Sequence, residues 1–237
     1  MNQLLETIYR TRRVQDEEGN PVDPFPAATP QETGEALYRL VLDLRCEQTL
    51  EIGMAYGLST LFICQAHEDR GQGSHIAIDP VQSTRWKSIG LSNIQKAGLQ
   101  HRLKFHEKPS HVALPMLLQE EIHLDFAFID GAHLFDYALL DFFYVDKLLR
   151  VDGHIVIDDL WMPAVRKVLA FVASNRNYKI IPIHTDTRFL MHAGRVVRRV
   201  FQNPFERDPG HIRFFAGNIC LLQKMKEDDR AWSFHRS

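Results

Sequence analysis

The stretch TLEIGMAYGLSTLFI, Thr49 to Ile63, places Glu51, Gly53, Gly57 and Ser59 at the point where an apolar run stops. A buried strand that ends in glycines and opens a helix is built to hold something against its own backbone. The glycines permit a tight turn and close approach, and the helix N-terminus beyond them favours a carboxylate or phosphate. Glu51 adds a negative charge nearby, which would repel a dinucleotide's pyrophosphate. The spacing is G-x-x-x-G rather than G-x-G-x-x-G, a second mark against a nicotinamide dinucleotide. A ligand carrying both an ammonium and a carboxylate, such as the methionine part of S-adenosylmethionine, suits both charges. The bland reading is a structural turn, since glycines routinely punctuate α/β folds.

Working outward, the same rhythm repeats. QETGEALYRLVLDLR precedes the motif with apolar residues at helical spacing. After TLEIG and a helix to about Glu68 come HIAID with a helix over Ser83 to Ala97, and RLKFHE with a helix after Ser110. LDFAFID with a helix through Leu149 and HIVIDD with a helix after Pro163 follow. Five strand-helix units in a row predict a Rossmann-like, doubly wound α/β fold: a mainly parallel sheet with helices on both faces. YKIIPI and AGNICLLQKM have no comparable helix between them and are expected to form an antiparallel C-terminal strand pair. The first twenty residues read as helical, and PVDPFPAATP is too proline-rich for helix or central strand. Residues 1–30 are therefore expected to form a helix and linker, a candidate lid, and 31–237 the main domain. Within the latter, 185–213 is an arginine-rich insertion.

Composition excludes little but is consistent. The chain has 237 residues, 45% hydrophobic and 24% charged, with a formal net charge of −2. Neither nucleic acid nor membrane is expected as a partner. Three cysteines without a CxxC pair suggest neither a disulfide framework nor a zinc site, and the N-terminus lacks the apolar core of a signal peptide. The expectation is a cytoplasmic protein.

In an open parallel sheet, ligands bind beyond the carboxyl ends of the strands. Those ends carry Glu51 to Ser59, Asp79, His106 to His111, Asp130 to His133, and Asp158 to Trp161. Asp commonly caps the helix after a strand, which explains any one acid alone. Carboxylates at four of five ends are harder to dismiss. Asp79, ending the second strand, can accept hydrogen bonds from both ribose hydroxyls, and with the glycine loop it describes a nucleoside cofactor.

EIGMAYGLS resembles the E-[IL]-G-x-x-x-G-[YLF]-S stretch of metal-dependent class I S-adenosylmethionine-dependent O-methyltransferases, the group of catechol and caffeoyl-CoA O-methyltransferases and their bacterial relatives. The likeness runs from Glu32 to about Val168, through the lead-in helix, IDP, FIDGAH and LLRVDGHIVIDDLW. It implies an S-adenosylmethionine-dependent methyltransferase domain over 31–237 and O-methylation of a small-molecule acceptor hydroxyl, catechol-like, sugar or other diol. Among cofactor-binding residues it implies Glu51, Gly53, Ala55, Gly57, Ser59, Asp79, Ser110, His111 and Asp130, with Ser59 near the methionine carboxylate and Ser110 and His111 facing the adenine. It implies a metal site of Asp130, Asp158 and Asp159 for Mg²⁺ or another divalent cation. Carboxylates suit such a hard ion, which relieves their mutual repulsion. The third family ligand is often Asn, and here it is Asp159. Without a metal, Asp130 would organise its loop and Asp159 cap the next helix. His133, three residues after Asp130, stands where the catechol enzyme has its catalytic lysine, and the resemblance pairs it with Asp130 as catalytic. A histidine there could take the acceptor's proton; the bland reading is a helix cap. A homodimer is expected. Trp86 reads as core rather than adenine contact. The alternatives are a nicotinamide-dependent oxidoreductase on a Rossmann sheet, or a catalytically silent binding protein.

Overall fold

Residues 2–183 and 218–234 are described by the structure, a computed structural model. The chain opens with α1 (Gln3–Thr11), a short hairpin of β1 (Val14–Gln15) and β2 (Pro21–Val22), and α2 (Gln31–Asp43). The alternating part runs β3 (Gln48–Ile52), α3 (Leu58–Arg70), β4 (Ser74–Ile78), α4 (Ile89–Lys96), β5 (Leu103–His106), α5 (Ser110–Gln119), β6 (Leu124–Ile129), α6 (Phe135–Leu148), β7 (Leu149–Ile157) and α7 (Pro163–Asn175). The last strands are β8 (Tyr178–Pro182) and β9 (Cys220–Lys224).

The seven-stranded sheet has the order β5-β4-β3-β6-β7-β9-β8. Neighbours from β5 to β7 are parallel, and β9 runs antiparallel to both β7 and β8. The doubly wound sheet and the antiparallel pair expected from the sequence are both present. Alternation along the strands explains the two covered faces. Leu50, Ile52, Ile76, Ile78, Ala127, Ile129, Ile155 and Ile157 face α5, α6 and α7. Phe126, Phe128, Val156 and Leu221 point the other way, onto α2 and α3. Strand order reverses between β3 and β6, so the crevice for a ligand opens there.

Two local expectations differ from the structure. The N-terminal helix ends at Thr11, because Arg12 adopts a left-handed φ of 54° and the chain turns into the hairpin. Asp16 fixes that turn by accepting from the backbone N–H groups of Glu18 and Asn20. The helix expected over Ser83 to Ala97 begins only at Ile89. Its first half is a set of turns, with Lys87 and Ser88 at positive φ and the Ser83 N–H taken by the Glu107 carboxylate at 2.7 Å. The 1–30 segment packs into the main core through Leu5, Ile8, Val14 and Ala28. Tyr9 donates to the Thr29 carbonyl at 2.7 Å, fastening helix to linker. The arginine-rich stretch 185–213 lies outside the described residues. Among the described residues no helix is long and apolar enough to cross a membrane.

Candidate active site

A cavity of about 630 Å³ opens at the carboxyl ends of β3, β4, β6 and β7. At the β3 end the backbone needs its glycines. Gly53 has φ +93°, and a Cβ there would lie 2.1 Å from the Asp130 carbonyl oxygen where β3 meets β6. Gly57, at φ +77°, packs against Gly90 of α4 rather than on the cavity. Between them Ala55 sits in the left-handed region at φ 46°. Gly53, Ala55 and Ser59 line the cavity, and Ser59 lies in the first turn of α3, so that helix presents its N-terminal end to the ligand space.

Asp79 is nearly saturated. Its Oδ2 accepts from Met54 N at 3.2 Å and Ala55 N at 2.8 Å, and its Oδ1 from Val81 N at 2.9 Å. The acid thus shapes the glycine loop and still has a lone pair for a ribose hydroxyl. Glu51 is turned away from the cavity. It is fully buried, accepts from the Thr60 hydroxyl, lies 3.5 Å from His75 Nε2, and leaves Oε2 without a partner. Its neighbours Thr49, His67 and His75 complete a buried polar layer between β3, β4 and α3.

The β6 and β7 ends behave differently. Asp130, Asp158 and Asp159 converge on one side of the cavity with His133 and Asn218. Burial, with the nearby Asp159 charge, pushes the Asp130 carboxyl up to about 6 despite its contact with His133. Asp158 is raised well above the ordinary range, by burial first and then by Asp130 and Asp159. Burial would also raise Asp159, but hydrogen bonds from His133 and Trp161 outweigh it and hold its carboxyl low. His133 Nε2 lies 2.8 Å from Asp159 Oδ2 and 3.4 Å from Asp130 Oδ1. Hydrogen bonds to Asp130 and Asp159 lift its pKa to about 10, so it is an imidazolium at neutral pH. Ligand atoms of Asp130, His133 and Asp159 all lie within 4.8 Å of one another. Asp158 is not in that group, and its Oδ1 accepts from Asp159 N and from Asn218 Nδ2, each at 2.6 Å.

Ser110 lines the cavity and bonds the buried Asp141 carboxylate, whose pKa burial raises to about 6. His111 is exposed, edge-on to Tyr137 at 6.0 Å and outside the cavity lining. Several lining residues were not singled out in the sequence. Tyr56 forms one wall and Asn218 arrives from the approach to β9, while another wall is Pro26 to Pro30, from the segment expected as a candidate lid. Trp86 is on the wall rather than in the core, 5.0 Å from Tyr56 and beneath Arg85. An Asn next to a strand offered no signal of this kind. The turn residues after Asp79 did, because strand ends were already suspect.

Residues 50–160 match a family model described as a methyltransferase domain. A probable caffeoyl-CoA O-methyltransferase of Arabidopsis thaliana is 31% identical over 138 residues, covering 56% of this chain and 57% of that protein. The chain thus spans little more than half the length of that relative. Among solved structures, cofactor-bound Rv0187 from MTB superposes with a TM-score of 0.65 at 18% identity, over 85% of this chain and 84% of that one. The O-methyltransferase from Bacillus cereus in complex with SAH gives 0.62 at 20% identity, over 76% and 83%. At such identities the structural likeness speaks for the fold.

Proposed function

We propose that this chain, whose residues 50–160 match a methyltransferase domain, is a class I S-adenosylmethionine-dependent methyltransferase that O-methylates a small-molecule diol with the help of a divalent cation. The observation that carries the reading is the cavity itself. Its one end is a glycine loop, an acid and a helix N-terminus suited to a nucleoside and an amino-acid carboxylate; its other end is three carboxylates at strand ends. The summed negative charge favours a sulfonium donor. The match to a methyltransferase domain and the G-x-x-x-G spacing weigh against the nicotinamide alternative.

The residues fit a divalent cation. Three carboxylates and an amide offer hard oxygen donors, and Asn218 Oδ1 is buried without a partner. Asp130 and Asp159, whose ligand atoms converge with His133, would hold the ion, and Asp158, outside that group and bonded to Asp159 N and Asn218 Nδ2, would complete the carboxylate set that the resemblance implies. What such a cation supplies when bound is charge neutralisation and a more acidic acceptor hydroxyl. The chain's own residues do the rest. Pro26 to Pro30 screen the cavity from water, and the β3 loop and Asp79 fix the donor's position. Alignment of donor and acceptor is the main demand of a methyl transfer. His133, protonated while both carboxylates face it, becomes a base for the acceptor proton only once those carboxylates are otherwise engaged.

Residues 1–30 are read as a fixed wall of the site rather than a separate unit, and 31–237 as the catalytic domain. Apolar side chains left exposed on α5 and α6, among them Val112, Met116, Phe135 and Phe143, support a homodimer. Three buried free cysteines suit a cytoplasmic setting. Calorimetric titration with S-adenosylhomocysteine, followed by transfer of a labelled methyl group to a panel of catechols and sugars in Mg²⁺ and in EDTA, tests the reading. No binding of the nucleoside would overturn it; equal turnover in EDTA would remove the cation from it.

A further inference from the structure

Gln82 is fully buried, yet it is neither core packing nor part of the cavity wall. Its Nε2 donates to the Ala55 carbonyl at 2.5 Å and lies 3.4 Å from Asp79 Oδ2, while its Oε1 is buried without a partner. Space for it is made by Gly90, where a Cβ would meet Ala55 O at 2.7 Å and both polar atoms of Gln82 at 3.1 Å. Ala55 is held from both sides: its N–H by Asp79 and its carbonyl by Gln82. That is also the residue with the left-handed backbone, φ 46°, which an alanine adopts only when its surroundings impose it. A buried polar atom left unsatisfied calls for an explanation, and here the other polar atom of the same side chain holds the loop carbonyl.

We propose that Gln82 is a positioning residue for the cofactor: by gripping the Ala55 carbonyl it keeps the glycine loop in the strained shape that aims Met54 N and Ala55 N at Asp79 and lines the nucleoside end of the cavity. Gln82 touches no ligand itself. The inference rests on the cofactor reading above, and it assigns to the loop a support that the glycines and the acid do not provide.

The test compares wild type, Gln82→Met and Gln82→Met with Ala55→Gly, each titrated with S-adenosylhomocysteine in a calorimeter. Methionine keeps the volume and removes the donor. Gln82→Met should weaken binding at least tenfold and raise the KM for the methyl donor, leaving kcat and acceptor KM near wild type. Glycine adopts φ near +46° freely, so Ala55→Gly should recover most of the lost affinity in that background. A general weakening of the fold would not be rescued by a more flexible loop. Gly90→Ala, which crowds the same carbonyl from the α4 side, should reproduce the donor-specific loss and serves if Gln82→Met does not fold. Wild type failing to bind overturns the cofactor reading and this inference together. Wild type binding while Gln82→Met and Gly90→Ala stay within twofold of it, or no recovery by Ala55→Gly, overturns the inference alone.

Discussion

At the β3 and β4 end of the cavity, both Asp79 oxygens have donors and the loop above them is braced by Asp79 and Gln82. At the β6 and β7 end, the carboxyls of half-buried Asp130 and buried Asp158 are pushed up, one histidine is held as a cation between acids, and Asn218 keeps an acceptor without a donor. The two ends are joined by one seam, where Asp130 N donates to the Ile52 carbonyl and Gly53 lies against the Asp130 carbonyl. The difference teaches how a preorganised site is divided. The nucleoside end satisfies both oxygens of its acid within the chain, so a ligand there meets a loop already braced, although Gln82 Oε1 and Glu51 Oε2 behind it have no partner. The acidic end is destabilised by its own charges, and a cation would offset that cost.

The largest test of the contrast is at Asp158. Asp158→Asn should lower cation-dependent methyl transfer by more than about 100-fold, the upper range for disturbing a metal site's surroundings. The amide oxygen still accepts from Asp159 N while one of the crowded charges is gone, so the metal-free protein should melt at a higher temperature. Affinity for S-adenosylhomocysteine should hold. A fall in both melting temperature and cofactor affinity would mean that the acids stabilise the fold, and the division between the ends would be lost.

Next in size is the seam. Gly53→Ala puts an alanine at φ +93°, a region that costs on the order of 1–3 kcal/mol, and adds a clash with the Asp130 carbonyl. Denaturant unfolding should show at least that loss, and both cofactor and cation affinity should fall because the two ends part. A variant with wild-type stability would show that the loop can be moved independently of β6.

Asp79→Ala should then weaken cofactor binding by about 1–3 kcal/mol, the range for removing a charged hydrogen-bond partner. Cation affinity in calorimetry should stay within about twofold. Equal loss of both would argue that Asp79 braces the whole cavity rather than one end of it.

Why some of this was legible in the sequence and some was not follows from where each residue stands. Gly53, Asp79, Asp130, Asp158 and Asp159 could be named because alternating strands and helices locate strand ends, and strand ends locate ligands in a parallel sheet. The parallel part of the sheet and the antiparallel β8 and β9 followed from the same alternation and its interruption, while the strand order did not. Glu51 shows the limit. Period-2 alternation puts it on the α3 face, with Thr49, and its carboxylate goes to Thr60 instead of the cavity. Gln82 and Asn218 reach the site through loop paths that tertiary packing decides, and nothing periodic marks them. The helix read over Ser83 to Ala97 failed at its start for the same reason: a carboxylate on another element, Glu107, captured the N–H and hydroxyl of Ser83.

The smallest effect concerns the polar layer beneath the nucleoside end. His67 is fully buried, bonded to Thr49 Oγ1 at 2.8 Å, and burial, helped by His75 and the nearby arginines, lowers its pKa from 6.5 to about 3. As pH falls, the unfolded chain takes a proton on this histidine near 6.5 while the folded protein refuses it until about 3. The stability it contributes is therefore present above 6.5 and drains away through that window, at up to about 1.4 kcal/mol per pH unit. Between pH 7 and pH 6, near the top of the window, the expected loss is about 0.7 kcal/mol. Burial lowers His106 and His154 as well, and they contribute to any such loss. The measurement is therefore a difference: urea unfolding of wild type and of His67→Gln at the two pH values. Glutamine does not titrate, so wild type should lose about 0.7 kcal/mol more than the variant. Equal losses would mean that His67 is protonated in the fold at pH 6, with Thr49 and the unpartnered Glu51 oxygen drawn toward it. The layer under the glycine loop would then respond to charge as the acidic end does.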